Sequence, residues 1–202
     1  MKRILTFAFA LTLVTGMVFL SSCSKKVTRI ETTETKDLSG RWNDTDSRNV
    51  SEEVIKDVTN HPWLPQFVTR KSKNPTIIVG TIRNISTEHI ATGTFVKDIE
   101  RAFINSGRVT VVASALERGE MRDERNEMQE NADPETIKKF GREKGADYIL
   151  SGEINAIEDR EGKNSVMFYQ VDLQLTDLET NAKVWIGGTK IKKFIERNKF
   201  KI

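Results

Sequence analysis

The side chains able to do chemistry are few and scattered: one cysteine, Cys23, two histidines, His61 and His89, and 29 acidic residues in a chain of 202. The histidines have no HExxH or histidine-rich context, and a single cysteine excludes an internal disulfide and any CxxC metal site. No Walker A, GxGxxG or GxSxG sequence occurs, so phosphate-cradling loops and nucleophile elbows lack their first requirement. A carboxylate pair could serve glycan hydrolysis if one member were held protonated. The acidic residues here sit among charged and polar neighbours, which keeps carboxyl pKa values ordinary rather than raised. His89, within Ser86-Thr87-Glu88-His89, suits a hydrogen bond that orders a loop better than it suits catalysis. These residues therefore predict no active site, no metal and no cofactor.

Cys23 points to a different chemistry. Lys2 and Arg3 form a positive start, and the run from Ile4 to Leu20 is interrupted only by Thr6, Thr12, Thr15 and Gly16. Seventeen residues at ~1.5 Å rise reach ~26 Å, short for a ~30 Å hydrocarbon layer, so residues 1–22 read as a signal peptide. The end, Leu20-Ser21-Ser22-Cys23, resembles the bacterial lipobox. Small residues admit the peptidase, and the thiol takes diacylglycerol as a thioether. Three acyl chains at ~0.8 kcal/mol per buried CH₂ hold far more firmly than one. A plain secreted protein with a chance cysteine, or an uncleaved anchor, are the competing readings. Ser24 follows in place of the aspartate that commonly retains such lipoproteins in the inner membrane, so the outer membrane is the expected site.

Removing 22 residues leaves 180 of the 202, enough for one core-bearing domain, and 30 basic residues against 29 acidic. Basic residues stand out as a block only in the final Lys190–Lys201 stretch, so nucleic acid is not an expected partner. Residues 23–36 are polar and read as a lipidated tether; the 13 after Cys23 span at most ~45 Å. The globular part is placed at 37–202. Asp44-Thr45-Asp46 offers N-cap oxygens for a helix with Val50, Val54, Ile55 and Val58 on one face. His61-Pro62 ends it, and Trp63, Leu64 and Phe67 form a short second turn. Thr76–Ile82 is a β-branched run suited to a buried strand, and a helix carrying Phe95, Ile99, Ala102 and Phe103 stops at Gly107. Val109–Ala113 is again a buried-strand run, which makes a βαβ unit with parallel strands.

Ala115–Glu130 is dense in Arg and Glu, with Leu116, Met121 and Met128 its substantial apolar groups, and reads as a mostly solvated helix. Asp133-Pro134 starts another helix with Ile137 and Phe140 inward, ending at Gly145. Asp147–Glu158, Val166–Leu178 and Lys183–Lys193 then form an antiparallel meander with turns at Asp159–Ser165 and Glu179–Ala182. The fold class is thus α/β: a single domain whose mixed sheet, a βαβ unit followed by a three-strand meander, is flanked by helices.

Two binding surfaces are legible. In Val166–Leu178 the odd positions Met167, Tyr169, Val171, Leu173 and Leu175 must face the core. Phe168 therefore lies on the polar face, where it either anchors an interface or is covered by a neighbouring helix. On the polar helix, Met121, Arg122 and Arg125 are types enriched at interfaces, although an ordinary solvated helix explains them too. Trp42 and Trp185 fit core or surface equally.

The run Asp37-Leu38-Ser39-Gly40-Arg41-Trp42-Asn43-Asp44-Thr45-Asp46-Ser47-Arg48 resembles the first segment of the LpoB family of lipoproteins. The resemblance continues through Ile78-Val79-Gly80, Asn84, Glu88-His89-Ile90, Gly107-Arg108-Val109, Arg118 and Arg122-Asp123-Glu124-Arg125. It closes with Gly145-Ala146-Asp147-Tyr148, Tyr169-Gln170-Val171, Trp185 and Ile191-Lys192-Lys193, covering nearly all of the mature domain. It implies a TolB N-terminal-domain-like fold. It also implies a non-enzymatic, outer-membrane-anchored activator that docks as a monomer on a bifunctional class A penicillin-binding protein. Enteric members carry a long proline-rich linker; here domain and tether together reach ~80–90 Å. The runner-up is a subunit of a secretion or envelope assembly like the CsgG family, which needs additional membrane-crossing strands of ~9–11 residues.

Overall fold

The computed structural model describes residues 26–133, 135 and 143–196, and the chain divides into two units, Met1–Glu34 and Thr35–Ile202. The described part of the first unit, residues 26–34, has neither helix nor strand and is exposed. Cys23, the signal peptide and the expected helix at Ile137 and Phe140 lie outside the described residues.

In the second unit, α1 (Asp44–Asn60) starts with a capping box. Asn43 Oδ1 accepts from the Asp46 N–H at 3.0 Å, and Asp46 Oδ2 accepts from the Asn43 N–H at 2.9 Å. The cap is therefore Asn43, one residue before the expected Asp44–Asp46; Asp46 supplies the reciprocal bond. Val50, Val54, Ile55 and Val58 are buried as one stripe. Past His61-Pro62, α2 (Trp63–Lys71) is longer than the single turn expected. Its Trp63 and Phe67 rings pack edge-on against Tyr148, with centroids 5.1 and 5.5 Å away.

Strand β1 (Thr76–Asn84), helix α3 (Thr92–Ser106) and strand β2 (Thr110–Val111) form the βαβ unit, with β1 and β2 parallel. Phe95, Ile99 and Phe103 of α3 are fully buried. β2 is a correction to the buried run Val109–Ala113: it pairs over two half-buried residues at the sheet edge. It is cut short because Ser114 already caps the next helix, α4 (Ala115–Asn131), in a second capping box with Glu117. No residue of α4 is buried, as its thin apolar stripe requires.

The meander follows as β3 (Tyr148–Glu161), β4 (Asn164–Asp177) and β5 (Lys183–Glu196), giving the sheet order β2-β1-β3-β4-β5. The β3–β4 turn is tighter than the expected Asp159–Ser165. Pairing runs on through Asp159↔Val166 and Glu161↔Asn164, and Gly162, with φ +60°, and Lys163 make the turn. Both strands thus project beyond the core, where their polar residues resemble a loop in sequence. Tyr148, Leu150 and Ile154 of β3 and Met167, Tyr169, Val171, Leu173 and Leu175 of β4 face the core. Trp185 is buried at 2% exposure and belongs to that core, while Trp42 packs partly buried at its margin. α1 packs on β5 and α3 on β1, so these helices cover one face of the sheet.

Candidate docking surface

The other face carries the alternate residues of the same strands, and the register sets them in rows. One row runs Arg83, Glu153, Asp172, Gly188 across β1, β3, β4 and β5. Four residues further along β3, a second row sets Ile157, Phe168 and Lys192 side by side, followed by Asp159, Val166 and Phe194. Phe168 is half-buried, whereas Ile157, Ile186 and Phe194 are 61%, 67% and 65% exposed. Around the first row lies a concavity of about 460 Å³ lined by Thr81, Arg83, Ser151, Glu153, Asp172, Gln174 and Ile186.

The residues singled out from sequence fall in two separate places. Phe168 lies on β4, on the face opposite Met167 and Tyr169. Met121 is 47% exposed on α4, and Arg122 there donates from Nε and Nη2 to both oxygens of Glu143 at 2.8 Å. Arg118 Nε and Arg125 Nη1 stand 3.7 Å from the same carboxylate. Hydrogen bonding from Arg122 holds the Glu143 carboxyl below its ordinary range and pushes the Arg122 guanidinium up. Arg122 and Arg125 thus already share an internal acid.

Sequence reasoning missed a buried polar network at the margin of the core. Attention to His89 belonged on its neighbour: His89 is exposed, and Asn84 orders the loop by donating to the Glu88 carbonyl at 2.6 Å and accepting from the Ser86 N–H at 3.0 Å. The Glu88 carboxylate accepts from Tyr169 OH at 2.7 Å and from the Trp42 N–H at 3.4 Å. The Trp42 ring lies edge-on to Tyr169 and Phe95, and its Nε1 donates to Ser47 Oγ at 2.8 Å. Beside it, Lys193 Nζ donates to Asp46 Oδ2 at 2.6 Å, Asp37 Oδ1 at 2.9 Å and the Arg41 carbonyl at 3.2 Å. Asn43 also donates to Asp37. Residues 37–43 are thereby strapped to the end of β5. Burial depresses the Lys193 ammonium, but the hydrogen bonds it donates to Asp46 and Asp37 outweigh it and its pKa is raised.

The carboxyl groups that shift, Asp37, Glu117, Glu143 and Asp177, all move down. Among the described residues no group of three or more His, Cys, Asp or Glu is placed to hold a metal ion. No described helix is long and apolar enough to cross a membrane.

A five-stranded mixed sheet covered by helices on one face, with charged and apolar rows on the other, defines an α/β domain. The family model described as peptidoglycan-synthase activator LpoB matches residues 46–191, and the chain belongs to that family. The fold is similar to the LpoB C-terminal domain from Salmonella enterica, at 13% identity over 75% of this chain and 99% of that one, with a TM-score of 0.40. The LpoB C-terminal domain from Escherichia coli is similar at 12% identity, over 73% and 99% of the two chains, with a TM-score of 0.41. Lipoprotein GNA1162 from Neisseria meningitidis is similar at 19% identity, over 62% and 88%, with a TM-score of 0.36. No curated protein sequence matches the chain. At the level of the family, the protein is an activator of peptidoglycan synthesis rather than an enzyme of it.

Proposed function

We propose that this chain binds and activates a bifunctional class A penicillin-binding protein, acting as a monomer from a lipid anchor on Cys23 in the outer membrane. The observation that carries this reading is the LpoB family match, which spans residues 46–191 of the second unit. The lipobox-like Leu20-Ser21-Ser22-Cys23 supports the anchor. An activator shifts an equilibrium only by its differential affinity for the two states, so the domain must hold the synthase's active conformation more tightly than its idle one. Phe168 is the proposed central contact, with Met121, Arg122 and Arg125 of α4 as further contacts. The 13-residue tether confines the domain to within ~45 Å of its anchor plus its own width, so the partner must reach towards the outer membrane.

The test is a glycan-polymerisation and cross-linking assay with a purified full-length class A penicillin-binding protein, with and without the mature chain carrying Cys23→Ser. Stimulation at stoichiometric ratio is the expected result. Unchanged rates together with no measurable complex would reject the reading.

A further inference from the structure

The open sheet face has a charge pattern that specifies what can sit on it. Glu153 and Asp172 stand directly opposite one another on β3 and β4, and like charges in that relation destabilise a sheet. Arg83 Nη2 donates to Glu153 Oε2 at 2.8 Å and so compensates one of them. Asp172 receives the neutral Gln170 amide at 2.8 Å, and its neighbour on β5 is Gly188, which offers no side chain. The exposed Asp172 thus borders the 460 Å³ concavity with no ion-pair partner among the described residues, since Arg83 in the same lining pairs with Glu153, and Ile186 forms an apolar wall beside it.

About 13 Å along the strands, four residues at ~3.3 Å, the pattern changes. Ile157 and Phe168 form an apolar pair, continued by Phe194. At the β5 edge the exposed Lys190 and Lys192 carry no ion pair among the described residues. Lysines along an edge strand discourage the addition of another strand, so a partner approaches the face rather than the edge. An anionic lipid surface would oppose the Glu153–Asp172 row, whereas a protein surface can match both signs.

Resting on the activator reading, we propose that the synthase seats on this face with three contacts. A lysine or arginine of the synthase enters the concavity beside Asp172, an apolar side chain lies on Ile157 and Phe168, and a carboxylate faces Lys190 and Lys192. The exposed apolar side chains supply contact area and the two charge rows set the orientation.

The experiment measures affinity and stimulation of a purified full-length class A penicillin-binding protein by the mature Cys23→Ser chain and its variants. Asp172→Lys is expected to weaken binding at least tenfold and Ile157→Lys at least fivefold. Both sites are exposed, so melting temperatures should hold at the parent's value. Asp172→Lys and Ile157→Lys chains that bind within twofold of a parent that does stimulate would overturn the docking face while leaving the activator reading intact. A parent chain that neither binds nor stimulates removes the activator reading and this inference with it. Self-association of the parent, lost in Asp172→Lys without any change in synthase binding, would assign the face to a second copy and overturn the proposal.

Discussion

Tyr169 and Glu88, 81 residues apart, meet at 2.7 Å, and the bond ties the core face of β4 to the loop after β1. Burial, with the Glu88 carboxylate second, drives the Tyr169 pKa up. Tyr148, the protein's other tyrosine, is raised chiefly by burial as well. A group whose folded pKa lies above its unfolded value contributes stability that is complete below the unfolded pKa, about 10. That stability is lost as pH rises through the folded value. Ultraviolet titration should accordingly show no tyrosinate in the folded protein until well above pH 10, with absorbance and unfolding rising together. Tyr169→Phe removes the hydroxyl and leaves Glu88 with weaker partners, at a cost of about 1–2 kcal/mol in chemical denaturation. An unperturbed tyrosine titration would contradict the geometry.

Lys193 is the residue through which the strap is held. Its side chain is 12% exposed and that of Asp46 is 9% exposed. Lys193→Met would strand Asp46 beside the capping box of α1. Breaking a buried pair costs about 3–5 kcal/mol, and the more exposed Asp37 keeps the expected loss nearer about 2–4 kcal/mol. Hydrogen exchange should localise the loosening to residues 37–46 and the end of β5. Exchange spread evenly over the sheet would show that Lys193 is not the fastening point.

Much of this fold was legible because its periodicities are clean. The alternation of β4 placed Met167, Tyr169, Val171, Leu173 and Leu175 inward, and the same count left Phe168 on the opposite face. The four-residue spacing of Phe95, Ile99 and Phe103 located α3. β2 is shorter than its sequence suggests because four of the five residues in Val109–Ala113 are apolar, whereas strand length is decided by Ser114, whose preference for capping is not visible as hydropathy. The distal β3–β4 hairpin was under-read because its strands outrun the core and take on the polarity of a loop. That error conceals the Glu153–Asp172 row, since cross-strand partners follow from where the turn lies. The Lys193–Asp46 and Tyr169–Glu88 contacts join residues 147 and 81 positions apart, and local pattern has no means of pairing them.

Gly188 marks a point where β5 crowds β4. A Cβ there would stand 1.9 Å from the Val171 carbonyl oxygen, a backbone atom that cannot turn aside. Gly188→Ala must therefore shift a strand, and the expected loss is about 2–3 kcal/mol, in the range of overpacking. Thermal unfolding measures it. A melting temperature within a degree of the parent would mean that the strands are less closely apposed than the structure shows.

Glu117 makes the fold sensitive to acid at α4. Its carboxylate accepts from Lys97 Nζ at 2.6 Å and from the Ser114 N–H at 2.8 Å. Led by the Lys97 hydrogen bond, these contacts lower its pKa from 4.5 to about 2. A depressed carboxyl contributes stability that is present above the unfolded pKa and lost as pH falls through the folded one, here from about 4.5 to about 2. Glu117→Gln keeps an oxygen for the Ser114 N–H but loses the charge opposite Lys97. With a third of the side chain exposed to solvent, the expected cost at pH 7 is about 0.5–1 kcal/mol. Denaturant melts of parent and variant should draw together as pH drops through that window and coincide below pH 2, where both side chains are neutral. A gap of constant size down to pH 2 would mean that the Lys97–Glu117 contact adds nothing beyond the cap.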